Sequence, residues 1–312
     1  MPNIGIHLLL GARVLRRWSV RDADAPFPVH DPRMVSAFLY GAISPDAGYF
    51  PRSDRLFSEL AHLTRTGDLV RALVEEAASP VQRAHAWGWS THVLGDLAIH
   101  PLINAAHGER LYGDRTRPVT SGEDEVGHMR LEYGLDAAIF AAFPELDAVQ
   151  VGHAPSEDDV RPVGRAYRRI FGWGPGERWT ADAHRMTGRM ADMCRVVNRV
   201  FTAPASGYPL RRLLRYGAGR IAPPRRWMPG AWNRSAAAQA VCSPLQPVRW
   251  LVDEVSQVVE GFGVWMDDLR TDNLARLPNH DLITGALEVP GAPTPRTAAA
   301  LQVLAERVSC SR

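Results

Sequence analysis

Cysteine is scarce in this 312-residue chain: Cys194, Cys242 and Cys310 are odd in number and widely scattered. No two form a CxxC pair, so neither a disulfide framework nor a thiolate zinc site is suggested. Long apolar runs are missing as well, and with them any stretch of membrane-spanning length. The opening MPNIGIHLLLGARVLRRW holds a short apolar stretch, with no basic segment before it and no small-residue cleavage site after it. No signal peptide is read there, and the expected location is the cytoplasm. Lysine is absent and every basic residue is arginine, a bias of nucleotide composition or lineage rather than of chemistry. Alternating β-branched runs with Asn-Gly turns are absent too, which argues against a β protein.

What is present is the composition of a soluble globular protein, 46% hydrophobic and 22% charged, long enough for one large domain or two ordinary ones. Ala, Leu and Arg recur at three- and four-residue intervals, predicting an all-α fold with helices over 3–17, 33–42, 54–66, 68–78, 81–106, 122–142, 157–171, 179–201, 245–270 and 294–308. Segments rich in Pro and Gly separate them, the longest being GAGRIAPPRRWMPGAW at 217–232, expected to be an irregular connection. Charge is uneven: between Arg161 and Arg226 fifteen arginines meet three acids, Glu177, Asp182 and Asp192, so the remainder of this +2 chain is acidic. The simplest partition is a helical metal-binding domain over 1–155 and an Arg-rich helical extension over 156–312, packed on the first.

The metal expectation comes from polar residues that interrupt apolar helical faces. His7 sits in IGIHLLLG, Asp46 follows GAISP, and His62 lies in SELAHLT. His92, Asp96 and His100 fall four apart in GWSTHVLGDLAIHPLIN, and His128 and Glu132 repeat that spacing in GHMRLEYGLD. Four-residue steps put side chains on one helix face. Any one of them reads as a hydrogen-bonded core histidine, a turn aspartate or a surface pair. Together, five imidazoles and three carboxylates on buried faces need partners, and divalent metal in a helical bundle core supplies them. Nitrogen and oxygen donors without Cys suit zinc, with manganese or iron as alternatives.

In this order and spacing the eight residues resemble the zinc-dependent phospholipase C superfamily, which includes bacterial phospholipase C, S1/P1-type nucleases and the catalytic part of glycosylphosphatidylinositol phospholipase D. The resemblance spans roughly residues 1–145 and implies a multi-helix phospholipase C/P1 nuclease-like bundle. It implies Asp46, His62, His92 and Asp96 as ligands of one zinc, and His100, His128 and Glu132 as ligands of a second. His7 and a bridging Asp96 correspond to a third. The family completes that third site with the amine and carbonyl of a mature N-terminal Trp; here the chain starts Met-Pro, with Pro2 as the substitute amine, so two zinc ions are expected and a third is left open. The offset from Asp96 to His100 is four, where phospholipase C and the nucleases have six, and is closer to the phospholipase D branch. His107 is the alternative ligand.

Zinc ions a few ångströms apart favour phosphoester hydrolysis: water is activated towards neutrality and attacks phosphorus in line, while charge on the phosphate oxygens is neutralised. By analogy with the family, Asp46 is the catalytic residue that accepts the water proton. Asp136 and Thr91 are candidates to orient the imidazoles. Tyr49 and Phe50 are candidates to line a head-group or base pocket, with core packing as the alternative, and Trp87 and Trp89 read as core. The expected function is a phospholipase C-like phosphodiesterase, with phospholipid the favoured substrate. Peripheral membrane contact through Arg161–Arg226 is the accompanying expectation; pairing of those arginines with acids of the N-terminal unit is its alternative. A nuclease or phosphomonoesterase on the same site, and a non-catalytic metal-stabilised scaffold with a basic partner- or membrane-binding half, are the competing readings. Nucleic acid remains a possible partner, and neither the oligomeric state nor a role for residues 156–312 follows from the sequence.

Overall fold

A computed structural model describes residues 4–21, 25–50, 53–145, 149–202 and 244–310, the side chains of 193–202, 272–273 and 310 excepted. Among these residues the fold is all-α. Its helices are α1 (Ile4–Val20), α2 (Pro32–Ile43), α3 (Arg55–Leu63), α4 (Thr66–Glu76), α5 (Pro80–Tyr112), α6 (Glu125–Ala142), α7 (Glu157–Phe171), α8 (Glu177–Thr202), α9 (Arg249–Asp268) and α10 (Pro295–Cys310). Each expected helix has its counterpart here. The prolines and carboxylates between the periodic segments set the boundaries. Asp31 caps α2, its carboxylate accepting from the Arg33 N–H at 2.7 Å, with Pro32 at the first helical position. Ser79 and Gln82 form a capping box at the start of α5, and Ser156 and Asp159 form one at the start of α7. Thr64 and Arg65 break the chain between α3 and α4, Arg65 in the left-handed conformation (φ +51°).

Helix α5 is the spine. It runs six residues beyond the 106 expected from periodicity, through Pro101, and stops at Gly113 with φ +70°. Its 33 residues span about 50 Å at 1.5 Å per residue. Apolar side chains surround it on all sides, as in a helix buried by its neighbours. Helix α2 crosses it at a glycine pair: a Cβ on Gly88 would lie 2.0 Å from the Phe38 carbonyl oxygen, and one on Gly41 would lie 2.1 Å from that of His85. Only hydrogen fits at either position, which lets the backbones touch. Trp18, Phe57, Trp89, Tyr167 and Phe262 fill the core around the pair, and Trp87 joins them.

The later helices close on the earlier ones. Helix α9 packs on α1, α5 and α6 through Leu251, Val255, Val259, Phe262 and Met266, while α7 packs on α4 and α10 on α3. The Arg307 guanidinium holds the Asp54 carboxylate, one contact at 3.0 Å. Within the basic stretch, Arg165 pairs with Glu76 at 2.9 Å, Arg169 with Glu75 at 2.6 Å and Arg161 with Glu177 at 3.0 Å. Residues 203–243, including the expected 217–232 connection, lie outside the described residues. Between α9 and α10 the chain makes a short hairpin over Asn279–Glu288, with an antiparallel bridge between His280 and Leu287. None of the helices among the described residues is long and apolar enough to cross a membrane.

Candidate metal centre

Four helices and one turn bring the eight expected residues together. His7 comes from α1, Asp46 from the 3-10 turn Pro45–Tyr49 that follows α2, and His62 from the last turn of α3. His92, Asp96 and His100 occupy successive turns of α5, and His128 and Glu132 successive turns of α6. The imidazoles and both aspartates are fully buried and Glu132 is 3% exposed. They group as His7/His92/Asp96, Asp46/His62/His92 and His100/His128/Glu132, the ligand atoms of each group lying within 4.8 Å of one another.

Asp96 sits between the groups. One carboxylate oxygen is 3.2 Å from His7 Nε2; the other is 3.3 Å from His92 Nε2 and 3.4 Å from His62 Nε2. Asp46 Oδ1 lies 3.2 Å from His62 Nε2, and the His62 and His92 Nε2 atoms face each other at 3.1 Å. In the remaining group, Glu132 Oε1 is 2.9 Å from His128 Nε2 and 3.6 Å from His100 Nε2. His7 stacks on His92 at 3.9 Å between ring centroids.

Burial alone would raise the Asp96 carboxyl, but the His100, His92, His62 and His7 imidazoles hold it well below its usual range. Asp46 is likewise pushed up by burial and brought down further by His92 and His62, so it stays ionised. Burial opposes ionisation of Glu132 too, and its interactions with the His128 and His100 rings bring it down. Burial pushes His128 down to about 4 and, aided by His7, lowers His92. His62 is the exception: burial works against its proton, yet Asp46 and Asp96 raise it to about 9.

Both ring nitrogens of His7 and of His128, both carboxylate oxygens of Asp46 and of Asp96, and His100 Nε2 are buried without a hydrogen bond of good geometry. So many buried polar atoms without one are costly as they stand, and the donor set is that of zinc. The outer ring nitrogens settle the remaining question of orientation. His62 Nδ1–H donates to the Ser58 carbonyl at 2.7 Å, His92 Nδ1–H to Ala42 at 2.9 Å and His100 Nδ1–H to Leu282 at 2.6 Å. Since a carbonyl can only accept, the Nδ1 of each ring carries a proton and its Nε2 faces inward as the atom that would bind metal. The three groups can chelate metal ions, which corresponds to two or three zinc sites.

The other residues singled out in the sequence lie around these groups or outside the described residues. The Thr91 hydroxyl donates to the Trp87 carbonyl of its own helix at 3.1 Å and orients no imidazole. Asp136 accepts from the Ile6 N–H at 2.9 Å and so holds the backbone next to His7. His107 Nε2 is 3.2 Å from Asp124 and outside the three groups. Tyr49 is buried, its ring centroid 5.6 Å from that of His62 and its hydroxyl without a hydrogen bond; Phe50 packs partly buried against the core. Pro2 lies outside the described residues.

Beside the centre lies a polar cluster that no spacing in the sequence announces. His85 and His184 place their Nε2 atoms 2.9 Å apart, at 3.0 and 2.5 Å from the Ser44 hydroxyl. His184 Nδ1–H donates to the Thr180 carbonyl at 2.6 Å. Burial pushes His184 down to about 4 and, with His184 beside it, lowers His85 further. Both stay neutral at pH 7 and tie α2, α5 and α8 together two residues before Asp46. Neither has another metal-binding side chain three or four residues away, so spacing gives no sign of the pair.

No curated protein and no solved structure matches the chain. A family does: zinc dependent phospholipase C matches residues 6–170, a span that contains all eight clustered side chains and more than half of the chain. On that match and this geometry, the protein belongs to the zinc dependent phospholipase C family.

Proposed function

We propose that the protein is a phospholipase C-like hydrolase that cleaves a phosphodiester with an activated water. Family membership and the three chelating groups support a metal-dependent phosphoester hydrolase in general. The single observation that carries the finer reading is the position of Asp96, whose two oxygens face His7 on one side and His62 and His92 on the other. In this reading Asp46, His62, His92 and Asp96 hold one zinc, His100, His128 and Glu132 a second, and His7 with Asp96 a third.

Bound zinc would supply Lewis acidity, lowering the pKa of water and neutralising charge on phosphate oxygens. The rest falls to the chain. The Asp46 carboxylate, kept ionised by His92 and His62, is the base that accepts the water proton. The Nδ1–H bonds to Ser58, Ala42 and Leu282 fix three rings before substrate arrives, so no reorientation accompanies the reaction. Tyr49 keeps its proton because burial raises its pKa, leaving an O–H to donate to a phosphate oxygen, with Phe50 beside it. Phospholipid is the favoured substrate, met at a membrane surface through the Arg161–Arg226 stretch.

Zinc content by mass spectrometry, combined with assays on a choline phospholipid, single-stranded DNA and a nitrophenyl phosphate, tests this. The expected result is bound zinc and phosphocholine release that stops on chelation. Turnover of DNA or of the monoester alone reassigns the substrate. Zinc without turnover makes the centre a structural scaffold, and a protein that binds no zinc overturns the reading.

A further inference from the structure

The segment between α9 and α10 lies outside the family-matched residues, yet it touches the metal centre directly. Its hairpin is closed by Asp281 N–H to Ala286 C=O at 2.9 Å and Glu288 N–H to Asn279 C=O at 2.9 Å. The tip is shaped by Asp281, whose carboxylate accepts from the Ile283 and Thr284 N–H groups at 2.9 and 3.2 Å, and by Gly285 at φ +73°. A Cβ on Gly285 would lie 2.8 Å from the Pro101 ring, so the turn fits only while bare. The base is fastened to the start of α4: Asn279 Oδ1 accepts from the Asp68 N–H at 2.9 Å, and the Glu288 carboxylate accepts from Thr64 Oγ1 at 2.5 Å and the Arg65 N–H at 2.6 Å.

The tip carries Leu282, fully buried, and its backbone joins two ligand-bearing elements. The Leu282 N–H donates to the His62 carbonyl at 2.7 Å, filling one of the acceptors that the end of α3 leaves open. The Leu282 carbonyl, one residue's length away, accepts from His100 Nδ1–H at 2.6 Å. Asn104, one turn along α5 from His100, clamps the neighbouring Ile283 carbonyl at 2.7 Å.

We propose that the Asn279–Glu288 hairpin is a positioning strap for the metal centre. Leu282 sets the tautomer and angle of His100, and the His100/His128/Glu132 group reaches full metal affinity only with the strap docked. A carbonyl on the outer nitrogen of a metal-bound histidine both aims the ring and raises its basicity, and loss of such a partner typically weakens metal binding about 10–100-fold. Asp281 and Asn104 act through the strap and are positioning residues. The proposal rests on the zinc reading, but it is tested on metal binding and not on turnover, so a protein that binds zinc and hydrolyses nothing still decides it.

The test uses full-length zinc-loaded protein and the variants Asp281→Ala, Asn104→Leu and Asp281→Asn, with zinc stoichiometry and chelator competition as readouts. The expected result for Asp281→Ala and Asn104→Leu is about 10–100-fold weaker binding of one zinc while the others stay tight. Asp281→Asn keeps a side-chain oxygen for Ile283 and Thr284 and is expected to restore binding. Uniform loss of all zinc, or wild-type affinity throughout, overturns the proposal. A second measurement needs no variant: with histidine and leucine isotopically labelled, the wild-type His100 Nδ1–H should give a protected proton resonance coupled to the Leu282 carbonyl carbon. Absence of that coupling overturns the proposal even if a variant fails to fold.

Discussion

At the scale of single residues, Asp96 has the most contacts to lose. Its two oxygens serve imidazoles from α1, α3 and α5, and Asp96→Asn replaces one oxygen by a donor facing those rings. The expected outcome is loss of at least one zinc equivalent and a fall in turnover beyond about 100-fold, the upper end for outer partners, read by metal analysis and steady-state kinetics. His184 carries a pH prediction. Its folded pKa, about 4, lies below the ordinary 6.5, so the unfolded chain binds the extra proton, and its contribution is complete above 6.5 and is lost as pH falls towards 4. The groups facing it are His85, Ser44, Tyr40 and the Thr180 carbonyl. Denaturation midpoints from pH 7 down to 4.5 should fall less steeply in a His85→Leu/His184→Leu double variant than in the native protein. Equal slopes would refute this.

At the scale of helices, the glycine crossing of α2 and α5 sets how close Asp46 comes to His92. The Ala42 carbonyl that accepts from His92 lies one residue beyond Gly41, and Asp46 comes a few residues later. Gly88→Ala puts a methyl into the Phe38 carbonyl and must separate the two backbones. Overpacking of this kind costs about 1–3 kcal/mol. Urea denaturation should show that loss, and zinc analysis should show weakened binding at the Asp46/His62/His92 group in the same variant. A variant with native stability would mean that the helices part without strain. The four-residue spacing at His92/Asp96/His100 and His128/Glu132 was legible in the sequence because helical period alone puts such residues on one face. The capping residues and prolines made the helices legible in the same way. What the sequence hid had no periodic signature. Leu282 acts through its backbone, which every residue has, and His85 and His184 meet only because three helices converge. Thr91 looked like an orienting hydroxyl but bonds to its own helix, the ordinary fate of a threonine inside one.

At the scale of the whole molecule, the family-matched segment depends on the helices and hairpin C-terminal to it. Helix α9 lays five fully buried apolar side chains over α1, α5 and α6, and the strap meets His62 and His100. A chain ending at residue 170 would expose that face and is expected to lose cooperative melting by circular dichroism; a sharp transition would show the segment to be autonomous. The extension could be counted in helices from the sequence, but its work could not be assigned, because its contacts with the site are made by main-chain atoms and apolar packing.

The spine also implies a rule about length. His92, Asp96 and His100 climb the axis in steps of about 6 Å and drift only about 40° at each, because four residues are close to one turn. Inserting or deleting one residue between His92 and His100 would swing everything beyond it by about 100° and point His100 away from Glu132. A change in count there has no local repair. In this protein the stretch from 92 to 100 behaves like a reading frame, its three polar side chains meeting their partners only while the count between them is kept.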